Sequence, residues 1–356
     1  MTTAFDTARA EAFAGKMVGV LNGAAVALMT SLGHRTGLFD TMRGGAAVTS
    51  HDLAAAAELS ERYVREWLGA MTVGGVVEHD PAADTYTLPA EHAAFLTRAA
   101  APNNMAAAMQ WVGVLGAVED DVAAAFRHGL GVPYAAYRRF HTVMAEESDQ
   151  TTVAGLEDHI VPLVPGLAAR LRSGIDVLDV GCGSGRALAR LAELFPASRF
   201  VGYDAAPDAV TIAQLTARER GLRNIRFEAR DAAAMPDRAA FDLVTAFDAV
   251  HDQADPAGVL GNVAAALRPG GVFLMQDIKA CSHVAGNRDL PLGPFVYTVS
   301  CMHCMSVSLA NGGPGLGAAW GKELALEMLA AAGFRDVRVS TLPHDPINYY
   351  YVARCG

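Results

Sequence analysis

The pattern of hydrophobic and polar positions changes near residue 174, where short apolar runs begin to alternate with helical stretches. Nearly continuous apolar runs of this kind are typical of strands in a parallel sheet that is covered on both faces. The predicted strands are IDVLDV (175–180), RFVGYD (199–204), IRFEAR (225–230), FDLVTAF (241–247) and GVFLMQDI (271–278). Two further runs, RDVRVSTL (335–342) and NYYYVARC (348–355), are joined by a short turn. This hairpin predicts one antiparallel strand in the sheet.

Residues 49–89 carry a different pattern, with two short amphipathic helices followed by a hairpin. Thr49 or Ser50 can cap the first helix and Ser60 the second, because their side-chain oxygens accept free N–H groups at a helix start. The stretch VVEHDPAADTYTL (76–88) then predicts two short strands around an Asp-Pro turn. Two helices followed by a hairpin indicate a winged helix.

An apolar helix is predicted near the start of the chain, over MVGVLNGAAVALMTSLG (17–33). It is short for a membrane span and includes Asn22. Asp6 and Glu11 precede it, so it lacks the basic region of a signal peptide. Because a helix that is apolar on every side is usually buried against other helices, we expect this helix to lie in a dimer interface and not in a membrane.

The charge balance argues against a nucleic-acid partner. The chain holds 28 Lys and Arg against 38 Asp and Glu, a net charge of −10. Residues 1–100 hold seven basic and eleven acidic residues, a net charge of −4. In the second winged-helix segment, Arg62 and Arg65 are accompanied by Glu61 and Glu66, which leaves no basic face. Such a surface gains little from a phosphate backbone, so dimerisation is the expected role of the winged helix.

A glycine-rich loop, LDVGCGSGR (178–186), follows the first predicted strand. Gly181, Gly183 and Gly185 allow a tight turn that brings a ligand against main-chain N–H groups. In a dinucleotide-binding loop the sixth position is Gly or Ala, whereas here it is Arg186. The loop therefore favours a nucleotide-like ligand without a pyrophosphate.

Three acidic residues stand at corresponding strand ends. Asp204 ends the second strand, where an acid accepts hydrogen bonds from ribose hydroxyls. Asp231 ends the third strand, in a position to receive an adenine amino group, and Asp179 precedes the glycines, near a possible ligand ammonium. A glycine loop combined with these acids is more specific than the loop alone.

These motifs resemble those of the class I S-adenosylmethionine-dependent methyltransferases. The resemblance runs through LDVGCGSG, Asp204, RDA (230–232), FDLV (241–244), LRPGG (267–271) and AGF (332–334). It implies an α/β fold with a Rossmann-like seven-stranded sheet containing one antiparallel strand. It also implies S-adenosyl-L-methionine as cofactor and S-adenosyl-L-homocysteine as product. The cofactor-binding residues it implies are Asp179, Gly181, Cys182, Gly183, Gly185, Asp204, Ala205, Asp231, Ala232 and Phe247.

The N-terminal half extends the resemblance. LGHRTGLFD (32–40), followed by a winged helix, is similar to the dimerising domain of two-domain small-molecule O-methyltransferases. The resemblance divides the chain into a winged-helix dimerisation domain at 1–100 and a mostly helical connector lining the substrate pocket at 101–173. The S-adenosylmethionine-binding domain then occupies 174–356, with a cap insertion at about 280–319.

In those O-methyltransferases a His-Asp pair in a motif like H-D-W-x-D follows the fourth strand, and the histidine deprotonates the acceptor. The matching residues here are His251 and Asp252, which we therefore expect to be catalytic, with Asp252 orienting nearby groups. An imidazole suits proton removal near neutral pH. Gln253 replaces the tryptophan of the motif, which disfavours a flavonoid-like acceptor. The alternative is that the pair only caps the following helix.

Polar-tipped residues of the connector and the cap are candidates for contact with the acceptor: Tyr134, Tyr137, His141 and His303. The cap also holds Cys281, His283, Cys301 and Cys304. One C-x-x-C pair is weak evidence for zinc, so no metal is expected, and packing of the cap or contact with a soft substrate is favoured. Five cysteines give no disulfide framework, in keeping with a reducing cytoplasm.

The sequence thus predicts a cytoplasmic, homodimeric enzyme that methylates a small molecule, at a hydroxyl, without a nucleic-acid or membrane partner. One alternative keeps the enzyme class and changes the acceptor to a thiol or an amine. A second is a regulator that binds S-adenosylmethionine and uses its winged helix on DNA. A third is a scaffold without catalytic activity, which an intact His251 and cofactor set oppose.

Overall fold

The computed structural model describes residues 5–355, and the chain divides after Gly116 into two compact units. The predicted connector is shared between these units. Its first part, up to Gly116, belongs to the N-terminal unit, and the part from Ala117 onward belongs to the second unit. A separate pocket-lining segment at 101–173 stays a prediction.

The N-terminal unit is a helical winged-helix domain, as predicted. Its elements are α1 (Thr7–Thr36), α2 (Leu38–Thr41), α3 (Ser50–Ala56), α4 (Glu61–Val73), β1 (Glu78–Asp80), β2 (Thr85–Thr87), α5 (Ala90–Leu96), α6 (Met105–Ala108) and α7 (Gln110–Gly116). The Thr49 side chain caps α3 by accepting the N–H of Asp52 at 3.1 Å. Ser60 stands at the cap position of α4 without a capping hydrogen bond from its side chain. Strands β1 and β2 form the antiparallel hairpin.

The core of this unit forms where the last turns of α1 meet α4. The ring of Trp67 packs edge-on against Phe39 with centroids 5.2 Å apart, and its Nε1 donates to the carbonyl of Met29 at 2.9 Å. Leu68 and Met71 are fully buried beside it. The buried indole therefore links the last turns of α1 to the winged helix.

The remainder of α1 is exposed in the single chain. Several of its large apolar side chains face outward: Phe13, Met17, Val18, Val20, Leu21, Leu28 and Leu32. By length and composition α1 is the one helix within residues 5–355 that could cross a membrane, and none of its most apolar stretch is buried. The burial expected for this helix is thus not supplied by the chain's own fold.

The second unit contains the predicted sheet. Its elements are α8 (Glu119–His128), α9 (Phe140–Ser148), α10 (Leu167–Ser173), β3 (Asp176–Val180), α11 (Arg186–Leu194), β4 (Arg199–Asp204), α12 (Pro207–Glu219), β5 (Ile225–Ala229), β6 (Phe241–Phe247), α13 (Pro256–Ala266), β7 (Leu267–Ile278), α14 (Gly293–Val299), α15 (Met305–Ala310), α16 (Gly321–Ala331), β8 (Phe334–Leu342) and β9 (Asp345–Cys355). Short π-helical segments lie at Asp149–Val153, Leu156–Ile160 and Ser300–Cys304.

Seven strands form one sheet in the order β5-β4-β3-β6-β7-β9-β8. Strand β9 runs antiparallel to both of its neighbours, and the pairs among β3 to β7 are parallel. The hairpin prediction is therefore confirmed. Because β4 and β5 lie on one side of β3 and β6 lies on the other, the strand order reverses beside β3, where α/β proteins bind ligands.

Alternation along the strands divides the core between the two faces of the sheet. Leu178 and Val244 belong to one buried cluster with Phe273, whereas their neighbours Val177 and Leu243 belong to the other. Successive side chains of a strand point to opposite faces, so every central strand must be apolar on both faces. This is the physical basis of the continuous apolar runs in the sequence.

Candidate active site

The glycine loop lies at the carboxyl end of β3, and its three glycines have different surroundings. All three have positive φ, in the region that disfavours a side chain. A Cβ on Gly181 would lie 2.3 Å from the Cβ of Ala249, and one on Gly185 would lie 2.5 Å from the ring of Phe227. A Cβ on Gly183 would meet no atom within 4 Å. Gly183 therefore borders open space, where a ligand can approach the main chain.

Asp204 is held against this loop. One oxygen of its carboxylate accepts the N–H of Gly183 at 2.7 Å, and the other accepts the N–H of Ala206 at 2.8 Å. Each oxygen keeps a further lone pair, so the carboxylate can still accept hydroxyl groups beside the open side of Gly183. This arrangement fits the ribose of a nucleoside cofactor.

Asp179 is buried at the end of β3. Its carboxylate accepts the hydroxyl of Thr245 at 2.7 Å. Burial raises the pKa of Asp179 to about 7; the Thr245 hydrogen bond opposes this change and the Asp204 carboxylate adds to it. A cationic group beside Asp179 would compensate the lost hydration, as a ligand ammonium would. Thr245 was not predicted as a site residue, although a hydroxyl side chain within the otherwise apolar run of β6 could have indicated it.

The other predicted cofactor residues also lie at or near strand ends on this edge. Cys182 follows β3, and burial raises the pKa of its thiol well above the ordinary value. Ala205 directly follows β4, and Phe247 ends β6. Asp231 follows β5 and caps the turn beginning at Ala232 by accepting the N–H of Ala233, at 2.8 Å. Because these are adjacent parallel strands, their carboxyl ends meet at the same edge.

His251 is buried just beyond the end of β6. Its Nδ1 lies 2.8 Å from Oδ1 of Asp277, and the same oxygen accepts the indole N–H of Trp320 and the main-chain N–H of Ile278, each at 2.8 Å. A carboxylate can only accept, so Nδ1 carries a proton. Sequence reasoning missed Asp277, whose signal was an acid at the end of the apolar run of β7.

Cys304 is buried next to the same imidazole, and the two side chains influence each other's pKa. Because Nδ1 faces Asp277, Nε2 is the ring nitrogen left for another partner. Burial by itself would lower the pKa of His251, but the carboxylate of Asp277, together with Cys304, raises it well above the ordinary value. Of the predicted C-x-x-C pair, only Cys304 makes this contact. The chain therefore holds a Cys-His-Asp series inside the site.

Asp252 points to a different group. It accepts the hydroxyl of Tyr134, and burial raises its pKa while the charge of His251 and the Tyr134 hydrogen bond oppose the change. The carboxylate that orients His251 is thus Asp277, and the group next to Asp252 is Tyr134. The catalytic role expected for Asp252 remains a prediction.

The four predicted substrate residues belong to one aromatic cluster. His303 stacks on Phe140 with ring centroids 3.9 Å apart and meets Tyr137 edge-on at 4.7 Å. Tyr134 stacks on His141 at 5.8 Å and also meets His303 at 5.2 Å. Burial lowers the pKa of His303 to about 3, with the neighbouring histidines adding to the effect, so this ring is neutral at physiological pH.

None of the five cysteines, all within residues 5–355, belongs to a group of three or more converging metal-ligand atoms. Cys301 and Cys304 lie on the π-helical segment Ser300–Cys304, and Cys281 is close to Gly286 in the preceding loop. The packing role favoured for the cap cysteines therefore suits Cys281, whereas Cys304 reaches the site.

Two family models match the chain. Residues 24–98 match a family described as the Rv2258c-like winged HTH domain, and residues 171–333 match a family described as a methyltransferase domain. A ubiquinone biosynthesis O-methyltransferase of Bradyrhizobium sp. (strain ORS 278) is 32% identical over 107 residues, which are 30% of this chain and 41% of that protein. The chain thus matches less than half the length of that curated relative.

Solved structures resemble the whole chain. A protein of Nostoc punctiforme PCC 73102 assigned as an O-methyltransferase gives a TM-score of 0.72 at 19% identity, covering 96% of this chain and 98% of that one. Human N-acetylserotonin methyltransferase, in complex with S-adenosylmethionine, gives a TM-score of 0.70 at 18% identity, covering 100% of each chain. At such low identity the likeness establishes the fold.

The contacts of Asp204 generate a prediction for cofactor binding. Asp204→Ala should weaken binding of S-adenosylmethionine by about 2–3 kcal/mol, or roughly 30- to 150-fold, since ribose hydroxyls would lose a charged partner. Isothermal titration calorimetry measures the change. Asp208→Ala, which removes an exposed acid in the first turn of α12, should bind like the wild type. Equal affinities for both variants would contradict the assignment of Asp204.

Proposed function

Residues 24–98 of this chain belong to the Rv2258c-like winged-helix family and residues 171–333 to a methyltransferase-domain family, and on this premise we propose that the chain transfers a methyl group from S-adenosylmethionine to a hydroxyl of a small molecule. S-adenosylmethionine is the cofactor of the methyltransferase domain. The observation that carries the proposal is the imidazole of His251, held by Asp277 at the carboxyl edge that bears the glycine loop.

The residues at the strand ends fit this cofactor. Asp204 would accept the ribose hydroxyls beside Gly183, Asp231 would accept the adenine amino group, and Asp179 would hold the ammonium. When bound, the cofactor supplies a methyl group on a positively charged sulfur, already activated for direct transfer. The chain's own task is therefore to align the acceptor and remove its proton.

His251 performs the proton removal. Its Nδ1–H donates to Asp277, which leaves Nε2 of the neutral ring to take the acceptor proton. The carboxylate then stabilises the imidazolium that forms. Because Asp277 also raises the pKa of His251, the ring has to be in its neutral form before it can take the acceptor proton. Such general-base catalysis contributes ~10²–10⁴-fold in rate.

The acceptor has to reach the side of the ring that Asp277 leaves open. Nε2 is the nitrogen that receives the acceptor proton in this mechanism, and the buried thiol of Cys304 lies next to the same ring. We therefore infer that the acceptor oxygen displaces the thiol, with the aromatic cluster around His303 beside it. A thiol acceptor is the second candidate, because the Cys304 thiol is already accommodated next to this ring.

The charges of the winged helix support an enzyme over a DNA-binding regulator. On α4, Arg62 pairs with Glu66 at 2.5 Å and Arg65 pairs with Glu61 at 2.6 Å. These pairs neutralise the basic residues of the helix that would enter a DNA groove. The proposal therefore excludes a nucleic-acid partner and makes the small molecule the substrate.

Two further parts of the proposal concern assembly and location. The exposed apolar side chains of α1 would be covered by the same helix of a second chain, giving a homodimer. Free cysteines without a disulfide support a reducing compartment, so we propose that the enzyme works in the cytoplasm.

The first prediction here concerns His251. His251→Ala should lower the single-turnover rate of methyl transfer by ~10²-fold or more, because the acceptor keeps its proton. Affinity for S-adenosylmethionine should stay close to wild type, since the base acts on the acceptor. The acceptor is first identified by screening metabolite extracts for transfer of a labelled methyl group.

Cys304→Ala is the matched control for this measurement. It removes the thiol next to the ring and leaves the base, so the variant should retain most of the wild-type rate. If His251→Ala transferred methyl groups as fast as Cys304→Ala, positioning alone would account for catalysis. A joint loss of rate and cofactor affinity in His251→Ala would point to a collapsed site, and His251→Gln would then be used.

A second prediction concerns the homodimer. Light scattering coupled to size exclusion should give a dimer for the wild type and a monomer for Leu21→Glu, because a charge at this exposed position of α1 opposes burial. Val73→Glu adds the same charge at an exposed position on α4 and should leave the dimer intact. A wild-type chain that elutes as a monomer would exclude the interface.

A further inference from the structure

Three side chains converge on the Asp277 side of the His251 ring. Asp248, His251 and Asp277 each offer one ligand atom, and these atoms all lie within 4.8 Å of one another. Asp277 is completely buried, His251 is 4% exposed and Asp248 is half-buried. Ligand atoms about 2.1 Å from one ion, the usual distance for a first-row metal, lie at most about 4.2 Å apart, so the observed separations are close to those of a metal site. The mechanism proposed above makes no use of Asp248.

The two carboxylates of this cluster are not matched by an equal number of positively charged neighbours. Neither Asp248 nor Asp277 has a Lys or Arg partner among the described residues, and His251, which pairs with Asp277, is the one basic member of the cluster. Oδ2 of Asp277 and Oδ1 of Asp248 are buried without a hydrogen-bond partner in the described part of the chain. Asp345 and Glu147 add negative charge nearby. Buried carboxylate oxygens of this kind require a cation or a proton.

The position of Asp248 is fixed by the surrounding structure. It follows β6 with a φ of 52°, a left-handed conformation that few residues other than glycine adopt. Gln276 donates to its Oδ2 at 3.2 Å and is held in turn by the hydroxyl of Thr152 at 2.8 Å. These contacts occupy one oxygen and leave Oδ1 for another partner. A supporting contact of this type commonly orients a metal ligand.

We propose that Asp248, His251 and Asp277 bind one first-row divalent cation. Two carboxylates and one imidazole form a mixed oxygen and nitrogen ligand set, which suits Mn²⁺ and Zn²⁺ and is a poor match for Ca²⁺, an ion that prefers six or more oxygens. Nδ1 of His251 is the ligand nitrogen, because it is the ring nitrogen that faces Asp277.

The consequence for catalysis rests on the proposed function of His251. An ion on Nδ1 replaces the hydrogen bond to Asp277 and leaves the ring proton on Nε2, where the acceptor proton would have to go. The metal-bound imidazole is therefore no base, and the occupied site slows methyl transfer. Binding itself is independent of whether His251 acts as the base.

Metal binding can be measured without knowing the acceptor. Full-length protein is stripped with a chelator and titrated with Mn²⁺, and free Mn²⁺ is followed by electron paramagnetic resonance. The wild type should bind one ion per chain. Asp248→Asn and His251→Ala should each weaken binding about 100-fold or more, because even the loss of an outer-sphere contact costs 10–100-fold.

Asp252→Asn is the matched control, because it neutralises a neighbouring buried carboxylate outside the cluster, and it should bind Mn²⁺ nearly as the wild type does. Calorimetry with S-adenosylmethionine confirms that each variant is folded. Saturable binding lost in Asp248→Asn and His251→Ala but kept in Asp252→Asn supports the site. Absence of saturable binding in the wild type, or equal binding in Asp248→Asn, would overturn it, and a proton shared by the two carboxyl groups would then neutralise the cluster.

A kinetic measurement separates the site from the base mechanism. Saturating Mn²⁺ should slow single-turnover methyl transfer by the wild type and leave the rate of Asp248→Asn unchanged relative to metal-free buffer. The His251→Ala comparison, made in metal-free buffer, tests the base independently. If His251→Ala were as fast as the wild type in metal-free buffer while the wild type still bound Mn²⁺, the proposed role of His251 as the base would be wrong and the metal site would stand.

Discussion

The hydrogen bond between His251 and Asp277 depends on the register of β6 and β7, and the proposed acceptor half of the site depends on this bond. The two strands are parallel and pair Phe247 with Gln276. The residue after Phe247 is Asp248, and the residue after Gln276 is Asp277, so the register places the two aspartates side by side. His251 follows three residues later and packs back onto this end. A shift of one residue in the pairing would turn these aspartates to the opposite face of the sheet.

The cofactor half of the site follows the same rule one strand away. Strand β3 pairs Val180 with Tyr203, and the carbonyl of Tyr203 accepts the N–H of Gly181 at 2.8 Å. The glycine loop therefore begins where β4 reaches Asp204, and the carboxylate closes the turn through Gly183. Both halves share the carboxyl edge of the sheet near the point where the strand order reverses.

Buried acids give this edge a common electrostatic character. Asp179, Asp252 and Asp248 all have their pKa raised by burial, so each would gain from a positive charge nearby. The proposed cofactor brings one such charge to the Asp179 side, and the proposed divalent ion brings another to Asp248. An acidic interior that destabilises the empty site would thereby favour cationic ligands.

The sequence by itself determined the elements and the glycine loop, because those signals are local. Continuous apolar runs predicted β4 and β6 at their observed bounds, and the glycines and Asp204 lie at turns that their own chain neighbours define. Only the tertiary structure decided the partners of His251. Asp277 is 26 residues away, and no local pattern selects it over Asp252, the adjacent acid, which binds Tyr134. Such pairs depend on strand register and on the packing of distant segments, whose energies are not encoded in any short stretch of sequence.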